Sequence, residues 1–416
     1  MLALLSLLVG AASGFVGAIF RLTLEHGDRL RDAVIAWAHG RELVGLLLII
    51  AVSAAATSLA AWLVRRHSPE AAGSGIPHVE AVLNGDLPPA SFNLIPVKFL
   101  GGLLAIGAGL ALGREGPSVQ MGASLAHLLG VTFRRSWPDS RVLLAAGAGA
   151  GLATAFSAPI AGAVFVLEEL VRRFDTRITF TTLGASAGAI AVARVLLGTA
   201  PDFHVAPLPQ PDFGTLPIYL ALGVVAGFLG IAYNRTLLST LAAADRLRRW
   251  PVELRAALIG AAVGLLAWYA PTLVGGGDII TQRMLAGSEA LVMVVLVFIL
   301  RFGLGAVSYA AGTPGGLFAP MLVLGSQSGL LFGGLCKYWF PIVAPHPTAF
   351  AVVGMAAFFT AVVRAPVTGI VLVAEMTASY TLLLPMLGAC FAAMLVPTVL
   401  GNAPIYDTLR QRTLQR

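Results

Sequence analysis

Residues 113–117 read Gly-Arg-Glu-Gly-Pro, which places a guanidinium and a carboxylate inside a long apolar stretch. An ionisable side chain at a bilayer centre costs about 2.5 to more than 10 kcal/mol, so such groups persist where they line a pathway or relay a proton. The Gly-Pro after Glu115 adds a second constraint. Proline fits the first turn of a helix and not its interior, so a helix starts here, part-way through the apolar stretch. Helix N-termini offer unpaired N–H groups and a partial positive charge to anions. The segment therefore reads as an anion site with an acid in it. Charged, Glu115 can occupy the anion position itself; protonated, it loses its hold and an anion can replace it. A structural ion pair with Arg114 is the poorer reading, because successive helix residues do not face each other.

Other residues stand out as well, some with two readings. Ser74, in Ser74-Gly-Ile-Pro77, can cap a helix in the ordinary way or present its hydroxyl and a helix N-terminus to an anion. Gly315-Gly-Leu-Phe-Ala-Pro320 leaves the amides of Leu317 and Phe318 at a helix start, or provides a glycine contact between helices. Tyr406, before a basic tail, can be an interfacial anchor. Glu168 and Glu169 stand near Arg172-Arg173, as the solvated end of a helix would. Lys98, one of two lysines, lies in an apolar stretch and either attracts anions or is satisfied within the protein. The seven histidines are scattered without His-x-x-x-His spacing, and Cys336 and Cys390 are far apart. That pattern indicates no metal site, disulfide framework or cofactor, and gives an intramembrane enzyme neither a nucleophile–base pair nor a metal cluster.

The elements that must position these residues are membrane helices. Hydrophobic residues form 57% of the chain and charged ones 11%, where soluble domains carry about a quarter charged. Apolar runs at 1–19, 43–64, 94–112, 178–199, 215–233, 255–274, 288–307 and 382–400 meet or approach the length of a spanning helix. Residues 1–14 lack the basic start of a signal peptide and continue into a first membrane helix. The net charge of +7 comes with basic clusters such as Arg65-Arg66, Arg172-Arg173 and Arg246–Arg255. These suit cytoplasmic loops rather than nucleic acid. The fold class is all-α and polytopic.

Five apolar helical runs start beside a proline, at Pro77, Pro117, Pro159, Pro320 and Pro366. Helices that begin inside a bilayer must be buried in protein or line a watery cavity. Phe156-Ser-Ala-Pro-Ile-Ala-Gly-Ala-Val-Phe-Val-Leu-Glu-Glu169 also aligns with Val363-Arg-Ala-Pro-Val-Thr-Gly-Ile-Val-Leu-Val-Ala-Glu-Met376, with Glu168 opposite Glu375. Repeated halves with broken helices are a secondary-transport signature. The halves span approximately 1–200 and 215–400 of a single 1–416 domain, with 401–416 a C-terminal helix.

With Gly73-Ser-Gly-Ile-Pro77, Gly113-Arg-Glu-Gly-Pro117, Gly315-Gly-Leu-Phe-Ala-Pro320 and a late Tyr406 in order, the chain resembles the CLC family of chloride channels and chloride/proton exchangers. The resemblance covers nearly the whole chain and implies inverted-repeat halves with re-entrant helices. It implies chloride coordination by Ser74, Tyr406 and the amides of Leu317 and Phe318. Glu115 becomes the outer gate and proton acceptor. Glu169, with Glu168 beside it, becomes the internal proton-transfer acid, while Lys98 and Arg114 support the ion path. Glu375 is expected to cap or pack. In that family serine at position 74 goes with chloride rather than nitrate, and the Gly-Ser-Gly-Ile-Pro form argues against fluoride. The expected activity is proton-coupled chloride antiport, the alternative being a passive chloride channel of the same fold. The resemblance further implies a homodimer in the cell membrane with a cytoplasmic C-terminus. Regulatory nucleotide-binding domains and the family's N-terminal amphipathic helix are expected to be missing.

Overall fold

The computed structural model describes residues 2–247, 249–287, 289–339, 341 and 346–415. Among the described residues there are 17 α-helices, and extended pairing is limited to two isolated bridges. The first half holds α1 (Leu2–His39), α2 (Glu42–His67), α3 (Ile76–Asn84), α4 (Leu94–Gly107), α5 (Glu115–Thr132), α6 (Trp137–Ala155), α7 (Pro159–Phe165) and α8 (Thr176–Leu197). The second holds α9 (Leu216–Arg246), α10 (Val252–Tyr269), α11 (Asp278–Ala286), α12 (Leu291–Tyr309), α13 (Phe318–Trp339), α14 (Pro347–Val363), α15 (Pro366–Thr377) and α16 (Leu383–Val399). The last helix, α17 (Ile405–Leu414), carries Tyr406.

The halves repeat down to their caps. α3 and α11 are nine-residue helices, each flanked by left-handed glycines, Gly75 and Gly85 in one and Gly277 and Gly287 in the other. α7 and α15 both open on proline. The halves also contact each other reciprocally, as a twofold relation requires. Glu168 accepts from the amides of Val367 and Thr368 at 3.0 and 2.6 Å at the start of α15. Glu375 accepts from Ile160 and Ala161 at 3.1 and 2.8 Å at the start of α7. Gly113 and Gly316 exchange both backbone bonds, at 2.9 and 2.7 Å.

Each half thus lends a carboxylate to a broken helix of the other, where the N-terminal dipole favours negative charge. Glu168→Gln keeps the shape and removes the charge, so it should destabilise the protein by about 1–2 kcal/mol, on the scale of charge-assisted bonds. Thermal unfolding in detergent checks this.

The centre is built from α6 and α14, whose small residues let partners approach closely. A Cβ on Gly325 would come 2.6 Å from the carbonyl oxygen of Gly354, and the equivalent pair, Gly122 and Gly147, is closer still. Such contacts are how helices associate without a hydrophobic drive in lipid.

Several helices depart from the apolar runs, three of them for evident reasons. α1 continues past residue 19 to His39, because Arg21 and Arg31 find Glu25 and Asp28 one turn away and Arg21 also pairs with Asp202. α4 stops at Gly107, before the apolar run does, since Gly109 (φ +102°) turns the chain and accepts from the amide of Gly275 at 2.8 Å. α13 is long enough to span, yet Ser326, Gln327 and Ser328 lower its hydropathy and it lies mostly inside the protein.

Candidate functional site

Short backbone bonds lace three loops side by side. Gly73 donates to Thr313 O and accepts from Gly315, both at 3.0 Å, while Gly113 pairs with Gly316. This lacing brings together the N-termini of α3, α5 and α13. It leaves no room for side chains between them. A Cβ on Gly116 would run into Ser74 Oγ and sit 2.6 Å from Ser74 O, and one on Gly316 would sit 2.9 Å from the Gly116 nitrogen.

Ser74 is fully buried, and Gly75 (φ +85°), not Ser74, caps α3. The ordinary capping role is thereby set aside. Its hydroxyl faces that of Tyr406 and makes no hydrogen bond of ordinary geometry among the described residues. Its amide donates to the Tyr309 hydroxyl at 3.4 Å. Tyr406 is also fully buried rather than anchored at a surface. Its ring lies 6.1 Å from Phe318 and its hydroxyl adjoins Ser74. That hydroxyl too lacks a hydrogen bond of ordinary geometry among the described residues. Phe318 begins α13, whose first amides a helix leaves without internal partners. Two orphaned hydroxyls and a helix start therefore converge, an arrangement that costs stability unless a polar ligand completes it.

Glu115 opens α5 and is 1% exposed. Its carboxylate lies beside its own amide and that of Ala319 at the start of α13, and Oε2 has no hydrogen-bond partner among the described residues. It borders a cleft of about 90 Å³ that Asp28, Arg31 and Asp278 also line. Arg114 directs its guanidinium to Asp278 at 2.9 Å and Ala155 O at 3.1 Å, with Asp202 at 3.6 Å. Arg114 is thus anchored in the wall of the cleft.

Lys98 is buried and donates to Ala71 O and Gly73 O at 3.0 and 2.8 Å, so carbonyls rather than an acid satisfy it. Arg301 does the same in the second half. It donates to Leu273 O, Gly275 O and Gly276 O at 3.1, 2.8 and 3.0 Å. Each cation fixes the glycine turn that precedes a short helix, α3 in one case and α11 in the other. Sequence reasoning missed Arg301, although a lone cation within the apolar run 288–307 is the signal that marked Lys98. It also missed Tyr309, for which no local signal exists.

Glu169 sits on a π-helical turn, Val166–Leu170, closed by Val171 N donating to Val166 O at 2.8 Å. Such turns widen a helix and recur at functional sites. Here the turn separates two adjacent acids. Glu168 caps α15, while Glu169 stays 2% exposed with Arg172 3.6 Å away. Both line a cavity of about 340 Å³ that shares no lining residue with the Glu115 cleft.

Residues 54–398 match the model of the voltage gated chloride channel family. The chain belongs to that family, the CLC family. This CLC protein is 40% identical over 419 residues to the H(+)/Cl(-) exchange transporter ClcA of Vibrio cholerae, covering 99% of this chain and 89% of that protein. It superposes on a slow cyanobacterial Cl-/H+ antiporter with a TM-score of 0.96 at 32% identity, over 100% of this chain and 98% of the other. A eukaryotic CLC transporter, 24% identical with a TM-score of 0.82 over 99% of this chain and 73% of its own, shares the fold.

Proposed function

We propose that this CLC protein exchanges chloride for protons across a membrane. The observation that carries the reading is the pair of buried acids, Glu115 and Glu169, each bordering a different cavity, with the orphaned hydroxyls of Ser74 and Tyr406 in the same molecule. In this reading chloride is held by those hydroxyls and by the amides of Leu317 and Phe318, helped by the helix N-termini. Charged Glu115 competes for the same positive helix ends; protonated Glu115 yields to chloride. Glu169 passes the proton to and from the second cavity. Glu168 serves as a cap and not as a carrier. Lys98 and Arg114 hold the loops and the cleft wall in place. The exchange activity named for the Vibrio cholerae and cyanobacterial relatives supports the same reading.

The cavity at Glu169 belongs to the cytoplasmic side. Arg172 and Arg364 line it and Arg410 lies beside it on α17, and basic residues favour that side. The Glu115 cleft, which shares no lining residue with that cavity, then faces outward. The protein is then a cell-membrane antiporter with a cytoplasmic C-terminus. It forms a homodimer through α8 and α16, where Phe180, Leu183, Leu387, Phe391 and Leu395 are exposed on the single chain.

Purified protein in liposomes tests the proposal. Chloride efflux followed by electrode should be accompanied by proton influx in the same vesicles, at a fixed ratio. Chloride efflux without protons would make the protein a passive channel, and absence of chloride flux would remove the chloride assignment.

A further inference from the structure

Five charges meet where Glu169, α3 and α17 come together, and chloride–proton exchange as described above leaves four of them, Glu80, Arg172, Asp407 and Arg410, without a part. Arg172 lies just beyond the π-turn with φ +54°, a backbone that side-chain-bearing residues rarely adopt. Its guanidinium grips both oxygens of Asp407, at 2.7 and 3.2 Å. The same group lies 3.4 Å from Glu80 and 3.6 Å from Glu169, and its Nε donates to the Glu169 carbonyl at 3.2 Å. Arg410 approaches Glu80 at 3.1 Å and Asp407 at 4.0 Å.

The connectivity is specific. Asp407 directly follows Tyr406, and Glu80 lies on the helix that starts after Ser74. One guanidinium therefore joins the internal acid to the helix that follows Ser74 and to the helix that carries Tyr406. An isolated exposed pair contributes little, but a bidentate fork within a network is the exception. Glu80 is 1% exposed and the Asp407 side chain 19%, so the cluster is screened on its inner side and open at its rim.

Charge counting adds a direction. Three carboxylates (Glu80, Glu169, Asp407) face two guanidiniums (Arg172, Arg410), with Glu168 close by but committed to its cap. A proton on Glu169 balances the cluster and removes one of the three pulls on Arg172. The guanidinium is then left to Glu80 and Asp407. The charge on Glu169 thus changes how Arg172 is shared with the residue next to Tyr406.

We propose that Arg172 and Asp407 are a positioning pair that ties the seating of Tyr406 against Ser74 to the proton carried by Glu169. This rests on the exchanger reading above. The test measures chloride and proton fluxes together in liposomes for the unmodified protein, Asp407→Asn and Arg172→Gln. Both variants should raise chloride turnover and lower the protons moved per chloride at least about threefold, within the range by which network mutations alter coupling. Combining them should add little, because both break the same contact. Arg172→Lys, which keeps the charge and loses the fork, should recover part of the ratio.

An unchanged ratio in both variants overturns the proposal. So does a uniform slowing of both ions, which marks a merely structural contact. Should Arg172→Gln not fold, Asp407→Asn alone decides, since it keeps the side-chain shape. Absence of proton movement in the unmodified protein would instead overturn the exchanger reading itself. The two failures are therefore distinguishable.

Discussion

Glu115→Gln should leave chloride moving and stop the protons. Glutamine keeps the size of the side chain and cannot carry the proton, so proton flux should fall by about a hundredfold or more, the scale of losing a positioned proton-transfer group. Chloride flux should persist because a neutral side chain no longer competes for the helix ends around Ser74 and Phe318. The pH dependence separates this from general damage. In the unmodified protein, acidification neutralises Glu115 and frees the chloride position, so chloride flux rises as pH falls. In Glu115→Gln the side chain is neutral at every pH, and that rise should disappear. Paired pH and chloride electrodes on the same liposomes read both quantities.

Glu169→Gln should give the second large effect, with a different signature. This acid lines the 340 Å³ cavity and not the Glu115 cleft, so its loss severs proton delivery on one side only. Proton flux should again fall about a hundredfold. Chloride flux, however, should keep its rise on acidification, because Glu115 still titrates from the cleft. Loss of chloride transport as well would contradict the division of labour between the two acids. Retained coupling would move proton transfer to another group, Glu80 being the nearest buried carboxylate in the cluster.

Much of this was legible in the sequence for a local reason. Glycine and proline act on their own backbone, so Gly-Ile-Pro77, Gly-Pro117, Ala-Pro159, Ala-Pro320 and Ala-Pro366 announced helix starts that the structure places within the first turn of α3, α5, α7, α13 and α15. The match between Glu168 and Glu375 was visible as a repeat, and the reciprocal caps give its physical meaning. The extent of α1 was not legible, because hydropathy counts Arg21 and Asp202 separately although they pair across the fold. Arg301 was legible by the criterion applied to Lys98. The contact between Tyr309 and Ser74, and that between Arg172 and Asp407, depend on side chains far apart in sequence, and no local pattern encodes either.

The central claim is that chloride and protons are locked together by Glu115 and Glu169. Its most direct test imposes an outward chloride gradient on liposomes whose lumen is already more acidic than the bath. Chloride leaving should drive protons further inward, against their own gradient, and the extra acidification should vanish when the chloride gradient is removed. Protons flowing only down their own gradient, whatever chloride does, would contradict the account.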